Sequence, residues 1–206
     1  MALVSTVLWD VGGVLLTNGW DHVQRDKVLA DFGVSREPFE QIHAENNDAW
    51  EKGKITIEEY LAKTVFCEPR QFTPDDFIVK MKEQSHLHPN TAIELLKQIS
   101  ASDEYAVGIL NNESRELNDF RVATFGLIPL LDCFISSCYV GLRKPHPEIY
   151  KLALDLLQRE PDEVVFIDDR SENIAAAKEL GMHGIVHVTA KQTASELGLL
   201  GVTVAA

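Results

Sequence analysis

Short apolar runs, each stopping at a polar residue, constrain this chain more than any other feature of its 206 residues. Five of them read as strands: Val4 to Trp9, Tyr105 to Leu110, Cys133 to Ser136, "EVVFI" from Glu163 and "GIVHV" from Gly184. Single helical stretches separate the last four: Ser114 to Phe125, "HPEIYKLALDLLQ" from His146, and "SENIAAAKELG" from Ser171, which ends at Gly181. Another, Pro89 to Ile99, precedes the second strand. Strands separated by one helix each make a parallel sheet covered on both faces, an α/β, doubly wound, Rossmann-like core. In such sheets ligands sit beyond the carboxyl ends of the strands.

From about Thr17 to His88 the strand pattern is absent and four helices are expected. One spans Asp21 to Phe32 and is closed by Gly33. A second starts after Ser35 and runs to about Trp50, before Gly53. "TIEE" (Thr56 to Glu59) is a capping box that opens a third. "TPDD" (Thr73 to Asp76) supplies an N-cap, a proline at N1 and two first-turn acids for a fourth. Placed straight after the first strand, this block reads as an insertion. The expected division is a core of residues 1–16 and 89–206 and a helical domain of residues 17–88. After Val188 a helix-compatible stretch near Ser195 to Leu200 leads into a frayed "GVTVAA".

A formal charge of −13 argues against a nucleic-acid partner, which needs a basic surface. No apolar run is long enough to cross a bilayer, and "ALVSTVLW" meets Asp10 too soon for a signal peptide. Cys67, Cys133 and Cys138 lack CxxC spacing, so they read as buried small residues in a cytoplasmic protein.

The residues just past each strand are where chemistry would gather. The first strand ends at Asp10, with Gly12 and Gly13 following; the second ends at Asn111 and Asn112; the third leads to Lys144; "EVVFI" ends at Asp168 and Asp169. Singly, such residues are ordinary helix caps and turn formers. Together they place three carboxylates, two amides and an ammonium on one rim. The adjacent acids repel unless a cation or hydrogen bonds compensate.

This ordered set resembles the haloacid dehalogenase superfamily. "DVGGVL", "ILNN", "GLRKPHPEIY" and "VFIDDRSENIAAAKELGM" match its four motifs in order, and the helical block stands where its first subclass carries a cap. "WEKGKITIEEYL" resembles the loop and helix by which such caps reach the active site, which puts Glu51 near substrate. The resemblance implies a magnesium-dependent phosphatase acting on a small phosphorylated metabolite, as a monomer or homodimer. Asp10 would be the nucleophile and form an aspartyl phosphate. Asp10, the Gly12 carbonyl and Asp169 would hold Mg²⁺, with Asp168 supporting them or binding through water. Lys144 would neutralise charge, and Asn112 with amides near Gly12 and Gly13 would hold phosphoryl oxygens. Asn111 replaces a hydroxyl residue, and Asn173 a second acid found in one version of the fourth motif.

Gly12 is the main departure, because phosphatases of this superfamily commonly carry there an aspartate that serves as general acid and base. That role contributes roughly 10²- to 10⁴-fold, or about 3 to 5 kcal/mol. Three explanations are open. The leaving group needs little help, as with acyl or anomeric sugar phosphates (the D-x-G start resembles a branch that includes sugar-1-phosphate phosphatases). Alternatively, a cap residue, His22, Glu51 or Lys52, donates instead, or the protein binds a phosphorylated ligand without turning it over. Metal-free dehalogenation is a further rival, against which the Asp168–Asp169 pair counts. His86 and His88 read as linker surface, and His146 as part of a helix start.

Overall fold

The computed structural model describes residues 3–203; of the stretch expected to fray, Val202 is buried and residues 204–206 lie outside the described residues. Five strands, β1 (Thr6–Trp9), β2 (Ala106–Asn111), β3 (Cys133–Ser136), β4 (Val164–Asp168) and β5 (His183–Val186), form one parallel sheet in the order β3-β2-β1-β4-β5. β1 is central, with Trp9 opposite Ile109 on one side and Ile167 on the other. Because successive side chains alternate faces, Val7 and Trp9 join Val107 and Val165 on one face while Leu8 joins Leu110 and Phe166 on the other. Both faces are buried, which is why the strands are continuously apolar.

Ten α-helices among the described residues surround or interrupt this sheet. Four fall between β1 and β2 as an inserted block: α1 (His22–Asp31), α2 (Arg36–Glu51), α3 (Ile57–Thr64) and α4 (Pro74–Lys82). The capping boxes of Thr56 with Glu59 and of Thr73 with Asp76 open α3 and α4. The apolar cluster of this block also takes in Leu117 from the core, and within it Trp50 stacks on Tyr60 with centroids 4.0 Å apart. Arg25 ties α1 to α2 through Glu40 at 2.7 and 2.8 Å. The two connecting runs lie side by side: Thr17 N donates to the His86 carbonyl at 2.8 Å, and His86 N to Thr17 Oγ1 at 3.1 Å.

The remaining helices are α5 (Ile93–Ala101), α6 (Arg115–Thr124), α7 (Ser137–Val140), α8 (Pro147–Leu157), α9 (Ser171–Glu179) and α10 (Ala190–Leu199). Three differ from the sequence expectation. The α5 helix starts at Ile93 rather than Pro89, since His88 N and Ala92 N are bound to the carbonyls of Leu15 and Val14. The α10 helix starts five residues early on a Thr189–Gln192 capping box. The short α7 helix, ended by Gly141 in a left-handed conformation, was not expected at all.

Candidate active site

The β1, β2 and β4 strands end side by side, which brings their terminal polar residues to one place. Asp10 is buried, and its Oδ1 lies 2.9 Å from Lys144 Nζ. The same ammonium contacts Asp168 Oδ2 at 2.6 Å. Asp168 is fully buried and also accepts from Arg170 N at 2.8 Å and from Asn173 Nδ2 at 3.0 Å. Oxygens of Asp10, Asp168 and Asp169 lie within 4.8 Å of one another.

Burial pushes the Asp10 carboxyl up to about 7; Lys144 opposes that rise and Asp168 and Asp169 add to it. Asp169 is likewise raised by burial and by Asp168. For Lys144, burial disfavours the charge, but Asp10 and Asp168 outweigh it and hold the ammonium above its usual range. When all three acids are ionised, one cation leaves excess negative charge, and Asp169 Oδ1 is buried without a partner. Gly13 makes this crowding feasible: it sits at φ +73°, and a Cβ there would lie 2.2 Å from Asp169 Oδ2.

Other expected residues are placed less simply. Asn112 lines the open space above the acids and is tied to the lysine's backbone. Its Oδ1 accepts from Lys144 N and its Nδ2 donates to the Lys144 carbonyl, both at 2.9 Å, so it clamps the backbone that carries the lysine. Asn111 is buried, donates to Asn118 Oδ1 at 3.1 Å, and leaves its own Oδ1 unpartnered. Glu51 lines the same cavity, paired with Arg143 at 2.8 Å. Lys52 is drawn to Asp48 at 2.8 Å and His146 is exposed; neither lines the cavity, whereas His22 does. His86 and His88 lie on the linker, away from the cavity wall.

The cavity above this cluster, about 340 Å³, is walled by the core on one side and by residues of the helical block on the other. Sequence reasoning missed a buried ion pair on its wall, Glu113 to Arg121 at 2.6 Å. Burial raises the Glu113 carboxyl, with Arg121 opposing. Arg121 Nη2 also donates to the Thr17 carbonyl. The available signal was an arginine four residues after Leu117, on the stripe that α6 buries.

A family model described as haloacid dehalogenase-like hydrolase matches residues 4–181. The chain belongs to that family. Among curated members, flavin mononucleotide hydrolase 1 of Arabidopsis thaliana is 31% identical over 200 residues, covering 93% of this chain and 78% of that one. A sesquiterpene phosphatase of Aspergillus oryzae is 27% identical over 209 residues, 90% of each. Against bifunctional epoxide hydrolase 2 of Rattus norvegicus the identity is 47% over 66 residues, 32% of this chain and 11% of that longer protein. The fold matches a haloacid dehalogenase family enzyme of Bacteroides thetaiotaomicron, solved with magnesium and inorganic phosphate, with a TM-score of 0.74 at 21% identity over 90% of this chain and 95% of that one. Among the described residues, no helix of this hydrolase is long and apolar enough to cross a membrane.

Proposed function

We propose that this hydrolase is a magnesium-dependent phosphomonoesterase for a small phosphorylated metabolite, with Asp10 as nucleophile. The observation that carries this reading is the placement of Lys144 between Asp10 and Asp168, with Asp169 beside them. When all are ionised, three carboxylates against one ammonium leave a site that suits a dication. Its donors are oxygens only, which favours Mg²⁺ over softer metals. Asp10, Asp169 and the Gly12 carbonyl would hold the ion, with Asp168 bound to Lys144 and Asn173 behind them. The unpartnered Asp169 Oδ1 fits that role. Bound there, Mg²⁺ would supply charge neutralisation for Asp10 and for phosphoryl oxygens.

Asp10 attacks phosphorus in line, the bond to the leaving oxygen breaks, and water then hydrolyses the aspartyl phosphate. Lys144, already fixed by Asn112 through its backbone, holds the nucleophile's oxygen without reorganisation. Residues 17–88 act as the cap, with their two connections paired at Thr17 and His86, and they set specificity. The cavity is at the small end of ligand sites, which suits a compact metabolite. The flavin mononucleotide hydrolase and the sesquiterpene phosphatase support phosphate-ester chemistry more than dehalogenation. Purified protein should hydrolyse members of a phosphometabolite panel with Mg²⁺ and none of them after chelation, and Asp10→Asn should remove the activity. Tight binding of a panel member without turnover would instead mark an idle phospho-ligand binder.

A further inference from the structure

A side chain at position 12 would meet Asn18. A Cβ built on Gly12 lies 2.9 Å from Asn18 Oδ1 and 3.5 Å from Asn18 Cα, so the amide fills the space beside the nucleophile that such a side chain would need. The amide is held from two directions. Its Nδ2 donates to Asp21 Oδ2 at 3.2 Å, which turns Oδ1 toward Gly12. Behind it, the 17–19 turn closes round the Arg121 guanidinium. Arg121 donates to the Thr17 carbonyl, is anchored by Glu113 at 2.6 Å, and leaves no room for a Cβ on Gly19, which would sit 2.8 Å from its Nη1 at φ +70°. Asp10, Gly12, Asn18 and Asp21 line the same cavity.

We propose that Asn18 stands in for the missing side chain at position 12 as a group that hydrogen-bonds but moves no proton, so that the substrates are phosphates whose leaving oxygen departs unprotonated: acyl, enol or anomeric phosphates rather than simple alkyl esters. This rests on the phosphatase reading above. When Asp10 bonds to phosphorus, the electron pair of the breaking P–O bond goes to the leaving oxygen. A carboxylate, enolate or hemiacetal oxygen carries that pair far better than a plain alkoxide. In the second step water bonds to phosphorus, Asp10 leaves with its electron pair, and the phosphate product takes the water proton. A carboxamide can orient either oxygen but cannot give up a proton in this range. Asp21 is not a ready donor either, since Oδ1 accepts from Val23 N at 3.0 Å and Oδ2 from Asn18.

The test is hydrolysis of acetyl phosphate and of a graded series of aryl and alkyl phosphates, with Mg²⁺ at one pH. The expected kcat/KM falls steeply as the leaving group becomes less acidic, with alkyl esters short by roughly the 10²- to 10⁴-fold that a positioned acid contributes. Asn18→Asp places a second carboxylate against Asp21, where the pair would share a proton. It should raise alkyl esters relative to aryl ones, whereas Asn18→Ala should lower the whole series with its slope unchanged. A shallow series in the unaltered protein, or one that steepens on His22→Gln, places the proton donor elsewhere and overturns the inference while leaving the phosphatase reading standing. An unchanged slope in folded Asn18→Asp overturns it as well. Turnover of no phosphate at all overturns both.

Discussion

Lys144 holds its ammonium 2.9 Å from Asp10 and 2.6 Å from Asp168 while almost wholly buried, so its loss leaves two neighbouring carboxylates uncompensated. Lys144→Met should destabilise the protein by about 3 to 5 kcal/mol, the range for breaking a buried pair from one side. Urea unfolding checks this, and added Mg²⁺ should restore part of the loss because it replaces the missing positive charge. Gly12 gives a second test at this scale. Gly12→Asp alone drives its Cβ against Asn18 Oδ1 at 2.9 Å and should cost about 1 to 3 kcal/mol. Gly12→Asp combined with Asn18→Ala removes the obstruction and should recover most of that in a thermal melt. The strand-end acids and Lys144 were legible in the sequence because strand ends of a parallel sheet converge. Asn18 was not, because its importance lies in contact with a glycine six residues earlier, and a turn residue carries no periodic signature.

The elements of the helical block meet the core at specific approaches. Gly53, in the turn after α2 at φ +64°, presses on α7: a Cβ there would lie 2.1 Å from the Cys138 carbonyl oxygen. Gly53→Ala should therefore cost about 1 to 3 kcal/mol and shift the thermal midpoint downward. Within the block, the Tyr60 hydroxyl accepts from Trp20 Nε1 at 3.1 Å and lies 2.8 Å from His43 Nδ1, joining the loop before α1 to α2 and α3. Burial, with Arg25 adding to it, lowers His43 from 6.5 to about 4. Below pH 6.5 the unfolded chain takes up a proton that the folded one refuses, so stability falls as pH drops toward 4. The loss is at most about 3 kcal/mol, and His43→Gln should flatten the stability profile across that window. The α3 and α4 helices were readable because their capping boxes are local. The α7 helix was not: it is one turn long and lies where the sequence offers only "SSCYV".

Across the whole molecule, the sheet order β3-β2-β1-β4-β5 puts the strand that leads to Asp10 in the centre, with the amides on one side and the paired acids on the other. Alternation of strand and helix implies a parallel sheet whose strands all end at one edge, so the rim could be located before any distance was known, whereas the strand order itself could not. What no pattern of that kind reports is how rim residues use their atoms. Asn112 spends both ends of its amide on the backbone of Lys144, and Arg121 reaches from α6 to the Thr17 carbonyl. Both are contacts between residues far apart in sequence. The proposed chemistry requires Asp10 to form a covalent bond to phosphorus. Acid quenching during turnover of acetyl phosphate with Mg²⁺, followed by peptide mass spectrometry, tests this directly. The prediction is a phosphoryl increment on the peptide carrying Asp10 and none in the Asp10→Asn protein; turnover with no labelled Asp10 peptide, or surviving in Asp10→Asn, would contradict it.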